Sequence, residues 1–299
     1  MFDIVTFGGA VIDETIKANV PEKNGNILIP YGAKILIEKV HFDVGGGGTN
    51  TAVAFSRLGL KTGFIGKVGS DKNGIEILDL LKKEKVVFLG SKTKDENSGF
   101  SIILLNKNKN RSILTYKGIN DEVLLRDIKD FQTKWIYFAS SGGQTFKSQV
   151  ELAKKLKQKG VKIVFNPSEY LLKELNVKPL LKYCDVIVLN KTEAGLLVGQ
   201  KDENEMLKKI RELGPETVAI TNEGQKIYCL YKNKIYSAMP TKTNIIDKTG
   251  AGDAFASGFV AGLIRNKDVS FCIGLGIKEA VAVMSHYGSR KNLIKMELR

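Results

Sequence analysis

Regular alternation across the middle of the chain constrains its fold more than any other feature. Apolar, β-branched runs at Trp135–Ala139, Val161–Asn166, Asp185–Leu189 and Thr217–Thr221 alternate with helical patterns, notably Gln149–Lys159 and Glu203–Leu213. Parallel strands need a crossover long enough to hold a helix, so this alternation predicts a mainly parallel sheet covered by helices. The opening run Ile4–Phe7, ending in Gly8-Gly9, reads as another strand entering a turn. Strands are also predicted at Gly63–Gly66, Ile227–Tyr231 and Lys234–Ser237. Helices are predicted from Thr49 to a stop at Gly59, around Ile75–Lys83, and near Ala254–Arg265 and Phe271–Ser285.

Two segments break the alternation. Residues 14–42 are extended, with a turn at Asn24-Gly25-Asn26 and a β-like run at Ile35-Leu36-Ile37. Residues 97–118 hold two strands, Ser98–Asn106 and Arg111–Lys117, joined by the polar turn Lys107-Asn108-Lys109-Asn110. Neither segment can build a core alone, so the two are expected to pair into one small sheet. The organisation expected is an α/β body of residues 1–13, 43–96 and 119–299, with a β lid of residues 14–42 and 97–118. A lid of this kind would sit over the carboxyl ends of the body strands, where ligands bind in such sheets.

Composition excludes several classes. The 299 residues are 43% hydrophobic and 26% charged, which rules out wholesale disorder and collagen. No apolar run approaches the roughly 18 residues of a membrane span. The N-terminus has no basic leader, and Cys184, Cys229 and Cys272 are too far apart for a CxxC site. A cytoplasmic, reducing setting is expected. The net charge is +14, but lysines scattered along the chain supply most of it, and no arginine tract or aromatic-interleaved basic patch occurs. A solvated surface fits this better than nucleic-acid binding.

Two glycine-rich segments precede helices. In Asp247-Lys248-Thr249-Gly250-Ala251-Gly252-Asp253, the small residues Gly250, Ala251 and Gly252 let backbone N–H groups approach an anion at a helix start. Asp253 reads equally as a cap of that helix or as a base for a hydroxyl. In Asp43-Val44-Gly45-Gly46-Gly47-Gly48-Thr49-Asn50, four glycines let backbone touch a ligand, and Asn50 could bridge two sugar hydroxyls. Asn190 and Glu193 share a helix face. They could hold a hydrated Mg²⁺ and its phosphates, although on their own a helix cap is the commoner use. Asp13, after the first strand, reads as a loop residue or as a clamp for hydroxyls. There is no Walker-type loop and no strand–GxGxxG–helix fingerprint. With only His41 and His286 present, a zinc site or a Ser-His-Asp triad is disfavoured.

In order and spacing, Gly45–Asn50 and Asp247–Asp253 resemble the two signatures of the PfkB (ribokinase-like) carbohydrate kinase family, and Asn190-Lys191-Thr192-Glu193 is similar to its NxxE motif. The resemblance spans nearly the whole chain. It implies a doubly wound, mainly parallel sheet flanked by helices with a small β lid, and ATP-dependent phosphorylation of a sugar-like alcohol. Carried over, Asp253 is the base and Gly250, Ala251 and Gly252 form the anion hole. Asp13, Gly46, Gly47 and Asn50 hold substrate hydroxyls. Asn190 and, through water, Glu193 organise Mg²⁺ and phosphate. Thr221 and Gly224 fall at the nucleotide loop, where Glu223 departs from the usual glycine and is expected to point away. Ile277 and Ala280 should border the adenine. Asp247 and the carbonyls of Thr249, Val283, His286 and Gly288 match a monovalent-cation site, for instance for K⁺. The acceptor stays open between a sugar and a nucleoside, and a catalytically silent sugar-binding regulator is the remaining alternative. The Ser140-Ser141-Gly142-Gly143 loop lacks a carboxylate, which weakens a ribose-specific reading. No nucleic-acid or membrane partner is expected. A homodimer through the exposed edges of the lid is one possible assembly.

Overall fold

A computed structural model describes residues 1–296 except 109 and 242. The Lys107–Asn110 turn therefore includes one position, Lys109, outside the described residues. The body is a nine-stranded sheet. Its spatial order is Lys234–Ala238, Ile227–Tyr231, Thr217–Thr221, Val186–Asn190, Lys162–Asn166, Thr133–Ala139, Phe2–Phe7, Thr62–Ile65 and Val87–Phe88. Pairing is parallel from Thr217–Thr221 to Val87–Phe88. The two strands at the other end join antiparallel.

Both faces of the central strands are buried, and the period of two along each of them divides its side chains between two cores. Val5, Phe7, Ile136, Phe138, Ile163, Phe165, Ile187 and Leu189 face one core. Ile4, Tyr137, Ala139, Val164, Val186 and Val188 face the other, with Phe255 and Phe259 of the helix Ala251–Ile264. Each of the Val, Ile, Leu and Phe side chains among them contributes about 1.5–3 kcal/mol on burial, so the register is strongly specified. From Phe2–Phe7 the chain winds first to Thr62–Ile65 on one side and later to Thr133–Ala139 on the other. That reversal opens a crevice at the carboxyl ends of the two strands.

A separate four-stranded sheet has the order Arg111–Tyr116, Gly99–Leu105, Val11–Ala18, Ile37–Gly45. Its base packs through Ile12 and Val44 on Ile77 and Leu81 of the helix Lys72–Lys83. The turn at Asn24-Gly25 joins two short strands, with φ of 52° and 74° at its central residues, the left-handed pair a two-residue hairpin requires.

The helix read from Gln149 starts at Gly143, and local expectations differ from the structure at three further places. Strand Val11–Ala18 begins before residue 14, so Asp13 is a strand residue and not a loop residue. Ile35 and Leu36 lie outside the strand that starts at Ile37, and Leu36 is 80% exposed. β-propensity without a neighbour to pair with does not make a strand. The helix predicted from Thr49 starts at Gly47, while Gly45 ends the preceding strand and Gly46, at φ 94°, makes the corner. Glycine has low helix propensity, which hid that start.

Candidate active site

The site lies at the crevice, where two helix starts converge. Helix Ala251–Ile264 begins after Gly250, which has φ 78° and makes no side-chain cap hydrogen bond. A Cβ at Gly250 would lie 2.6 Å from Ser289 Cβ, so both the conformation and the space demand glycine. The N–H of Ala254 bonds back to Gly250 O at 2.9 Å and that of Ala251 to Lys248 O at 3.3 Å, which leaves the N–H groups of Gly252 and Asp253 as the free end of the helix. A Cβ at Gly252 would meet nothing within 4 Å, so the space beside this end is open.

Helix Gly47–Arg57 packs against the same helix through Val53, Ala54 and Ala254. Asn50, 6% exposed, donates from Nδ2 to Asp253 Oδ2 at 2.9 Å and accepts at Oδ1 from Ser289 Oγ at 2.9 Å. One amide thus joins two glycine-rich segments 203 residues apart in sequence. A Cβ at Gly47 would lie 3.5 Å from Asp253 Oδ1 and 3.3 Å from Ala139 Cβ, which places this backbone against the carboxylate and the end of a central strand. Gly46 makes the corner just before it, where a Cβ would lie 2.5 Å from Gly9 O. Burial pushes the Asp253 carboxyl above its ordinary range, and the Asn50 donor holds it partly down. It is therefore a better proton acceptor than an Asp at a helix start would otherwise be.

Asp13 stands on the small sheet, with Ser101 beside it on one strand and Asp43 opposite on the other. Burial pushes its carboxyl up to about 6; Ser101 and Arg290 pull it down, while Asp43 and Asp253 push it further up. Three residues that sequence reasoning passed over belong to this group. Asp43 pairs with the 5%-exposed Arg290. Arg111 reaches from the small sheet to donate to Thr249 Oγ1 at 2.7 Å. The signal for Asp43 was present but faint: it lies two residues before Gly45, in the strand that returns beside Asp13.

A profile of the pfkB family carbohydrate kinases matches residues 4–296. The chain belongs to that family. A ribokinase of Staphylococcus aureus is 30% identical over 280 residues, covering 89% of this chain and 90% of its own. An uncharacterized sugar kinase of Archaeoglobus fulgidus is 28% identical over 250 residues, covering 81% of this chain and 98% of its own. Among solved structures, an adenosine kinase from Sinorhizobium meliloti shares the fold at a TM-score of 0.85 and 22% identity, covering 98% of this chain and 97% of its own. As a pfkB family member the chain is a kinase with an alcohol group as acceptor.

The remaining predicted positions of this kinase fall at the carboxyl ends of neighbouring strands. Asn190 and Thr221 are register partners there. Asn190 and Glu193 form a reciprocal helix cap, each side chain accepting the other's backbone N–H at 2.8 Å. Burial pushes Glu193 up to about 7, with Glu169 and Asp253 adding to the rise and the Asn190 N–H opposing it. Gly224 has φ 78° in an open turn. The neighbouring Glu223 is exposed and pairs with Lys248 at 3.2 Å. Ile277 is 7% exposed and packed in the second core, with half-buried Ala280 beside it. Asp247 accepts at Oδ1 from Thr249 N at 2.9 Å and at Oδ2 from Gly288 N at 3.2 Å. The Val283 carbonyl, in the last turn of helix Val269–Met284, accepts from His286 N at 3.2 Å, and Asp247 N donates to Met284 O beside it at 3.3 Å. Cys184, Cys229 and Cys272 are free and buried. Among the described residues no helix is long and apolar enough to cross a membrane, and no group of three or more His, Cys, Asp or Glu is placed to hold a metal.

Proposed function

We propose that this kinase transfers the γ-phosphoryl group of ATP to a hydroxyl of a sugar, with Asp253 as base. The observation that carries this reading is the Asn50–Asp253 hydrogen bond, which fixes a burial-raised carboxylate beside the uncapped start of its helix. Phosphoryl transfer needs positioning and charge stabilisation more than covalent help. Asp253 takes the proton of the attacking hydroxyl. The helix start at Gly250, Ala251 and Gly252 faces the anionic group, with the N–H groups of Gly252 and Asp253 free to donate to it. Asp13, Asn50 and the backbone at Gly46 and Gly47 hold the acceptor's hydroxyls.

The residues present fit a phosphate, because the space at Gly252 is open and a helix start favours negative charge. ATP would supply the phosphoryl group, with Mg²⁺ neutralising its phosphates. Asn190 and Glu193 would organise the metal through water, and Thr221, Gly224 and the helix bearing Ile277 would border the nucleotide. A carboxylate with several carbonyls around Asp247, Thr249, Val283, His286 and Gly288 suits a hard monovalent cation such as K⁺.

The small sheet serves as a lid that excludes water from the transfer. Its face opposite Asp13 exposes Val40, Phe42, Leu114 and Tyr116, with Leu114 at 59%. A second copy of the chain covering this apolar face gives a homodimer.

Coupled ADP release across neutral sugars, sugar acids and nucleosides tests the proposal. One acceptor should raise release well above the rate without acceptor. Release that no acceptor changes would contradict it.

A further inference from the structure

The site carries a carboxylate beyond those the reading above uses. Asp43 lies directly opposite Asp13 across the antiparallel pair Val11–Ala18/Ile37–Gly45. Directly opposed side chains share a face, with Cβ atoms about 4.5–5.5 Å apart, and like charges so placed repel. Backbone is kept bare around both groups. A Cβ at Gly45 would collide with Asp13 Oδ2, and one at Gly288 would lie 2.6 Å from Asp43 Oδ2.

Arg290 offsets part of the repulsion. Its guanidinium meets Asp43 Oδ1 from the segment after helix Val269–Met284. Its NH1 is buried without a partner among the described residues, as is His41 Nε2 on the same face of the strand. The guanidinium NH1 can donate to an acceptor's oxygens, and His41 Nε2 can pair with a hydroxyl as donor or acceptor according to its tautomer. Charge is therefore unbalanced at this end of the molecule. Asp247 has Arg111 at 3.7 Å and Asp43 has Arg290. Asp13 and Asp253 have no cation in ion-pair contact among the described residues, although the whole chain carries +14.

We propose that Asp43, held by Arg290, is a second acceptor-binding carboxylate, and that the Asp13–Asp43 pair selects a neutral polyhydroxyl acceptor over an anionic one. Two carboxylates side by side accept hydrogen bonds from neighbouring hydroxyls of a polyol. They oppose the carboxylate of a sugar acid or the phosphate of a sugar phosphate. The Asp13 carboxyl, which Asp43 and Asp253 both push up, reports that the three groups share one field. Asp43 binds substrate, while Arg290 is a positioning residue that acts through it.

This inference rests on the kinase reading, and its test separates the two. ADP release by the full chain is measured with a neutral sugar, the aldonate of the same carbon skeleton and the corresponding sugar phosphate. The wild type should favour the neutral sugar at least about tenfold in kcat/KM, the scale of like-charge exclusion in a partly buried site. Asp43→Asn should raise KM for the sugar about tenfold, lower kcat much less, and shift the acceptor ratio toward the aldonate. Arg290→Met should raise KM likewise, with partial rescue in Arg290→Lys, and circular dichroism checks that each variant is folded. An aldonate or sugar phosphate used as well as the sugar, or an unchanged KM in Asp43→Asn, would overturn the inference and leave the kinase standing. Release with none of the three would count against the kinase. Calorimetric titration of the same compounds then still decides charge selection, and equal binding of sugar and aldonate would overturn it.

Discussion

Single side chains decide how this site titrates. Asp13 should lose its charge near pH 6, well above the ordinary 3.8. Its ionised form accepts the acceptor's hydroxyls, so acceptor KM should rise as pH falls through 6 and not through 4. In Asp13→Asn that limb should be absent, with KM high at every pH, which a pH series of initial rates will show. A buried carboxyl outside the site makes the opposite kind of statement, about stability. Glu279, fully buried, is pushed from 4.5 up to about 8; burial is the main cause, and the Ile294 N–H and Arg57 oppose it. The folded chain keeps a proton there that the unfolded chain releases near 4.5, so stability falls as pH rises from about 4.5 to 8 and levels off above. Thermal unfolding of Glu279→Gln should match wild type at low pH and exceed it by a few degrees above pH 8. Asp253 and Asn50 were legible as motif residues. Asp43 and Arg290 were not, because only the strand register and the path of the last segment bring them together.

At the scale of elements, the two glycines of one helix start should part company. Gly250→Ala should destabilise the fold, because φ of 78° and the approach of Ser289 both exclude a side chain. Gly252→Ala meets nothing within 4 Å and gains helix propensity, so it should fold as well as wild type or better by about 0.5–1 kcal/mol. It nonetheless puts a methyl into the space proposed for the phosphoryl group, so kcat should fall at least tenfold, by about 1.4 kcal/mol or more. Chemical unfolding and ADP release on the two variants check this contrast. Central strands and helices were legible because their apolar periods are long and two-sided. Helix starts were less so, since glycine at positions 47 and 48 carries no helical signal. The run Ile35-Leu36 was misread because apolar character alone does not tell a paired strand from an exposed loop.

At the scale of the whole molecule, two surfaces carry the account. The lysine-rich exterior should speed nucleotide association at low salt and lose that advantage as salt rises, while the acceptor pocket stays locally acidic. The outward face of the small sheet should hold two copies together. A charge on it, Leu114→Asp, should therefore convert a dimer to a monomer in sedimentation, and a wild type already monomeric at assay concentration would remove that proposal. The most direct test of the central claim is Asp253→Asn, assayed for acceptor-dependent ADP release beside calorimetric binding of the same acceptor. Asparagine keeps the shape and can still pair with Asn50 but takes no proton. Turnover should fall by about 10²–10⁴-fold with binding within a few-fold of wild type. Turnover that persists at the wild-type rate would mean that Asp253 is only a helix residue and that the proton leaves by another route.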